Sequence, residues 1–166
     1  MNQRPQETLA PLFSVFVMSH NEAAARLDQL LRRFFEASFL DIPEVRSAAH
    51  LATISGDYRP EIILACAYAL RAPRLGHVCI DLESPYETVD SGDEETPTEL
   101  TPESLYSPPE LNEWRSLLVS SELVTTHPLE DNLPFVLRGQ RLYTQRYHLY
   151  ERDLAHALND RAQYSV

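Results

Sequence analysis

Between Pro60 and Pro73 the sequence reads Glu-Ile-Ile-Leu-Ala-Cys-Ala-Tyr-Ala-Leu-Arg-Ala, and Ile62 to Leu70 are almost all apolar. Pro60 suits the first turn of a helix and Pro73 cannot continue one, so the segment predicts a helix from Pro60 to about Ala72. Its apolar side chains then point nearly all round the circumference. Such a helix is satisfied only when other elements cover it on every side. The run is far too short to span a bilayer. The rest of the chain is therefore expected to wrap around this segment and make it the centre of the core.

The flanking sequence supplies candidates for that wrapping. Ser19-His20-Asn21-Glu22 has the form of a capping box, followed by Ala23, Leu27, Leu30, Leu31, Phe34 and Phe35 at helical spacing. Asp41 and Pro43 open a second helix, with Val45, Ala48, Ala49 and Ala52 on one face and Gly56 as its stop. After Gly76, residues His77 to Leu82 alternate as a short strand. Pro108-Pro109-Glu110 starts another helix, in which Leu111, Trp114, Leu117 and Leu118 face the core, and Leu123-Val124 close that unit before His127-Pro128. Pro134 to Leu137 and Arg141 to Thr144 read as a hairpin about Gly139. A closing helix carries Tyr147, Tyr150, Leu154, Ala157 and Leu158 to about Arg161. The fold class expected is α+β, mainly helical: a single small domain over residues 1–166 with a short β-hairpin and a C-terminal helix.

Charge is distributed unevenly. The formal net charge is −11, yet from Glu83 to Glu110 there are nine acidic residues and no basic one. Without that segment the balance is 16 acidic against 14 basic, a net of about −2. Residues 83–109, rich in Glu, Asp, Ser, Thr and Pro, are expected to form a disordered acidic insertion. Every basic residue is Arg and none is Lys. The two cysteines, Cys66 and Cys79, make no disulfide framework and suit a reducing cytoplasm. Leu12 to Met18 is apolar, but no Lys/Arg cluster precedes it, so a secretory signal is not expected.

Several chemistries lack their residues. A P-loop needs a lysine that the chain does not have, and four glycines leave no room for a dinucleotide fingerprint. No Gly-x-Ser-x-Gly elbow, Cys-x-x-Cys pair or His-Glu-x-x-His helix occurs. On a strand, His77, Cys79 and Asp81 share one face, which suits a metal or a Cys–His nucleophile; equally, Cys79 is a small buried apolar residue and His77 a hydrogen-bonded one. Arg138, Arg141 and Arg146, with Tyr143, Tyr147 and Tyr150, form the second constellation. It can meet a protein partner, or stack bases and grip phosphates as a free-standing single-stranded DNA-binding module.

Two motifs in order carry a resemblance. Gly76-His77-Val78-Cys79-Ile80-Asp81-Leu82 resembles the Gly-His-Val-Cys-Leu-x-Leu signature of the N-terminal domain in the exonuclease V alpha-subunit (RecD) family. Pro134-Phe135-Val136-Leu137, Gly139 and Arg141-Leu142-Tyr143-Thr144-Gln145-Arg146-Tyr147 resemble its Pro-Leu-Val-Leu … Arg-Leu-Tyr-Leu-x-Arg-Tyr stretch, continued by Tyr150-Glu151 and Leu154-Ala155. Trp114, Leu117 and Leu118 match the Trp-bearing helix between them. The likeness runs from about Leu51 to Leu158, interrupted by the acidic segment. His148 stands where the family usually has a large aromatic and Thr144 where it has an aliphatic; Asp81 and the acidic segment are also untypical.

The resemblance implies a non-catalytic domain of an ATP-dependent helicase/exodeoxyribonuclease subunit. It implies docking onto RecC-like and RecB-like subunits in a double-strand-break repair complex, contact with DNA through that complex, and no membrane. No cofactor is expected in this chain, ATP and magnesium belonging to motor domains that it lacks. Arg138, Arg141, Tyr143, Arg146, Tyr147 and Tyr150 are the expected partner-binding residues, with no catalytic or metal site.

Overall fold

The structure is a computed structural model and describes residues 22–86 and 101–163. Within those residues six helices and one four-stranded sheet enclose a shared core. At its centre lies α3 (Pro60–Arg71), in which every side chain from Ile62 to Ala69 is buried. α2 (Ile42–Ser55) lies along it and buries Val45, Ala48, Ala49 and Ala52, alanines that let the two backbones approach closely. Asp41 caps α2, its backbone N–H donating to Glu44 Oε2 at 2.6 Å, and Gly56 ends it at φ 67°. Both ends fall where the sequence predicts them.

α1 (Glu22–Glu36) buries Leu27, Leu31, Phe34 and Phe35 as expected, but Ala24 rather than Ala23 is its first inward residue. Both positions lie a turn before Leu27, but the face centred among Leu27, Leu31, Phe34 and Phe35 is nearer to position 24 than to position 23. The Ser19 cap lies outside the described residues. The helix ends through Ser38 at φ 59°, with Phe39 N–H donating to Phe34 O at 3.1 Å, a reversal that folds Phe39 and Leu40 into the core.

The sheet runs in the order β1 (Cys79–Asp81), β4 (Arg141–Thr144), β3 (Phe135–Arg138), β2 (Val124–Thr125). β3 and β4 form the expected hairpin, with Arg138 opposite Arg141 and Gly139 at φ 62° opening a two-residue turn. β1 joins β4 antiparallel, Cys79 opposite Tyr143 and Asp81 opposite Arg141. Leu123-Val124 do not simply close the preceding helix. Val124 and Thr125 pair parallel to Phe135 and Val136 as an edge strand too short to leave an alternating pattern. Register assigns Ile80, Leu142, Leu137 and Phe135 to the face against the helices, and Cys79, Asp81, Tyr143, Arg141, Val136 and Arg138 to the other.

The acidic insertion is a correction at both of its ends. Residues 83–109 contain α4 (Pro102–Leu105), whose Thr101 side chain accepts from Ser104 N–H at 3.3 Å and whose Leu105 is buried. The Tyr86 hydroxyl donates to Tyr106 O at 2.6 Å, and its ring meets Phe39 and Tyr68 edge-on. Leu105, with Tyr86 and Tyr106 packed against the core beside it, is enough to bind the two ends; residues 87–100 lie outside the described part. α5 (Leu111–Val119) follows, with Trp114 and Leu118 fully buried. α6 (Gln145–Gln163) begins directly after β4, two residues earlier than its apolar spacing suggests. None of the described helices is long and apolar enough to cross a membrane.

Candidate functional site

α6 packs against the sheet's outer face where it leaves β4. His148, in the first turns of α6, is 9% exposed and sets its ring edge-on against Tyr143, with centroids 5.6 Å apart. Beside this contact the segment after β2 turns on itself: Thr125 Oγ1 donates to Asp131 Oδ2 at 2.6 Å, and Glu130 and Asp131 N–H both donate to His127 O at 3.0 Å. Together the turn, the outer sheet face and α6 enclose a cleft of about 490 Å³, with Arg138, Tyr143, His148, Glu151 and Arg152 among its walls.

The six residues singled out from sequence fall on three different surfaces. Arg138 and Tyr143 line this cleft. Tyr143 is only 5% exposed; burial pushes its phenol up to about 12, and its hydroxyl meets the Cys79 thiol and the Arg141 guanidinium. Arg141 is exposed and lines a separate pocket at the β1 edge. Arg146 and Tyr150 sit one helical turn apart on the far side of α6, where Arg146 Nε donates to the Tyr150 hydroxyl at 3.0 Å. Tyr147 is half-buried, edge-on to Tyr150 at 6.2 Å. The set therefore does not form one continuous platform of arginines and rings.

His77, Cys79 and Asp81 line one small pocket with Arg71 and Arg141 but do not form a nucleophile pair or a metal cluster. His77 lies outside β1 and is exposed, while burial raises the Cys79 thiol above its ordinary range, which leaves it a poor nucleophile at neutral pH. Among the described residues no group of three His, Cys, Asp or Glu could hold a metal ion.

His148 carries a pH effect. Its pKa is lowered, first by burial and then by the nearby Arg138 and Arg152 guanidinium groups, with Glu151 opposing. The unfolded chain then takes up a proton near the ordinary value of 6.5, before the folded chain does. Stability is expected to be fully present above that value and to fall as the pH drops toward the depressed folded pKa. His148→Phe should remove this part of the slope between neutral and mildly acidic pH, as followed by thermal denaturation at a series of pH values. An unchanged slope would place the effect elsewhere.

What the sequence reading missed is the projection of α6. Beyond Arg152 all its described side chains are exposed, including Leu154 at 61% and Leu158 at 56%, with Tyr150 at 54% one turn before. The helical spacing of these residues was legible, but helical spacing alone cannot distinguish a face turned inward from one turned outward.

Comparison with known proteins gives a consistent result. The profile of the family described as RecBCD enzyme subunit RecD, N-terminal domain, matches residues 36–143, about two-thirds of the chain. The RecBCD enzyme subunit RecD of Mycobacterium tuberculosis, from strains CDC 1551 / Oshkosh and ATCC 25618 / H37Rv, is 38% identical over 61 residues. That stretch is 37% of this chain and 11% of each relative, so the chain spans only a small part of the curated proteins it matches.

Proposed function

Because the chain belongs to the family of RecBCD enzyme subunit RecD N-terminal domains, we propose that it is a non-catalytic docking domain of a RecBCD-type helicase/exodeoxyribonuclease. Its partners are RecC-like and RecB-like subunits, and DNA is reached through the assembled complex. The observation that carries this reading is the outer stripe of α6. Tyr147, Tyr150, Leu154 and Leu158 recur at three- and four-residue intervals along one side of a 19-residue helix, about 28 Å long. Large apolar side chains exposed in a row on a projecting helix are costly to leave in water and suit the centre of a protein interface. Arg146, bonded to Tyr150 at the start of the stripe, adds an arginine–aromatic pair of the kind enriched at interface hot spots. Hydrolysis of ATP and cutting of DNA are assigned to other parts of the enzyme, in keeping with a chain that contains no lysine for a P-loop.

The test is co-purification of the chain with the RecB- and RecC-like subunits of its own source. The double variant Leu154→Asp, Leu158→Asp is expected to weaken capture by about 1,000-fold, since each buried anchor is worth about 2 kcal/mol. Its melting temperature should stay that of the unaltered chain, because both positions are exposed. Undiminished assembly would remove α6 from the interface. Steeply salt-dependent binding of single-stranded DNA by the isolated chain, lost on changing Arg146 and Tyr150, would favour the nucleic-acid module instead.

A further inference from the structure

At the free edge of β1, away from both the α6 stripe and the larger cleft, lies a pocket of about 250 Å³. One wall is Arg71, the last residue of α3, and Arg141, His77, Ser84 and Asp81 are among the others. Arg71 is 7% exposed. Its Cζ stands 3.7 Å above the Phe39 ring, yet its Nε is sealed from water with no hydrogen-bond partner. A guanidinium has five N–H donors, and a buried cation is costly unless it is paired.

Among the described residues, the carboxylates nearby already hold other partners. Glu44 Oε1 accepts from Arg74 Nε at 3.1 Å and Glu44 Oε2 accepts from Asp41 N–H. Asp81 Oδ1 accepts from Glu83 N–H at 3.0 Å and Asp81 Oδ2 from Gln140 Nε2 at 3.1 Å. Burial, and then the charge of Arg74, lower the Arg71 pKa to about 10, with Glu44 only partly offsetting them. The group remains charged at neutral pH without a counterion of its own among the described residues.

We propose that this pocket is a carboxylate-binding site, with Arg71 as its principal donor and Arg141 and His77 at its rim, and that it receives an acidic side chain of a partner polypeptide. Arginine's planar fork matches a carboxylate, and stacking on Phe39 holds that fork in one orientation. A single carboxylate is favoured over a nucleic-acid backbone because the net charge of −11 and Asp81 in the wall repel a polyanion more than they repel one negative charge. The site does not rest on the α6 reading, and both can be tested separately.

The experiment is a titration of the intact isotope-labelled chain, following the Arg71 guanidinium N–H resonances. The probes are a short, otherwise neutral peptide carrying one glutamate, inorganic phosphate and single-stranded oligonucleotide, in separate arms. The peptide is expected to shift the resonances saturably, and Arg71→Lys should weaken binding about 10-fold by losing the fork. Arg71→Met should abolish binding while melting at or above the temperature of the unaltered chain, since it removes an unpaired buried charge. Resonances unmoved by the peptide overturn the proposal, as does preference for phosphate or oligonucleotide. An Arg71→Met chain that melts much lower, or fails to fold, also overturns it, because Arg71 is then a structural cation seated on Phe39.

Discussion

Trp114→Ala is expected to lower the melting temperature by roughly 10 °C or more, the cost of a large fully buried side chain being about 3–5 kcal/mol. Trp114 is 0% exposed and couples two elements that sequence separates: its Nε1–H on α5 donates to Glu61 O, in the first turn of α3, at 2.7 Å. Removal therefore opens a cavity against the central helix and also takes away the bond that ties α5 to it. A domain of this size has a total stability of about 5–15 kcal/mol, so the loss is a large share of it. Trp114→Phe separates the two contributions. It keeps most of the apolar area and forfeits the hydrogen bond, for about 1 kcal/mol plus the smaller ring. Circular dichroism melts of both variants are the check. A Trp114→Ala chain that melts within a few degrees of the original would mean that α5 is not integral to the core.

How much of this was readable beforehand follows from which signals are local. The central helix announces itself between two prolines, and its burial follows from having no polar side to turn outward. The α2 cap, the Gly56 stop and the Gly139 hairpin are short-range chemistry, and they stand where the sequence puts them. Val124 and Thr125 could not be read as a strand, because two residues carry no periodicity and their parallel partner is held by β3, eleven residues on. Tyr86 and Leu105 were hidden by composition: a segment dense in Glu and Pro averages to a solvated one even when single apolar residues anchor its ends.

The candidate sites show the same division. Arg138 and Tyr143 do lie together at one cleft, as period-two alternation from register partners requires. Arg146 and Tyr150 are helical neighbours of each other and belong to another surface. Arg71 gave no warning at all, since a single arginine at the C-terminus of a helix is what the helix dipole favours in any case. Only the fold reveals that its guanidinium is enclosed by Phe39 on one side and an open pocket on the other.

Phe39→Ala is the second large effect expected, about 3–5 kcal/mol of stability lost, and it tests how that enclosure works. Phe39 is 5% exposed and touches three rings, Phe34 at 5.8 Å, Tyr68 at 5.5 Å and Tyr86 at 5.8 Å, in addition to lying under Arg71. Its loss should therefore loosen the Tyr86 end of the acidic segment along with the C-terminus of α1. A desolvated cation–π contact is worth about 2 kcal/mol, which in the intact chain offsets part of the cost of burying Arg71. In Phe39→Ala that compensation is gone while the charge stays in place. Arg71→Met is then expected to stabilise the Phe39→Ala background by about 2 kcal/mol more than it stabilises the intact chain, a coupling measured by chemical denaturation of the four chains of the cycle. Strict additivity would show that the guanidinium draws nothing from the ring, and that its orientation toward the pocket has another cause.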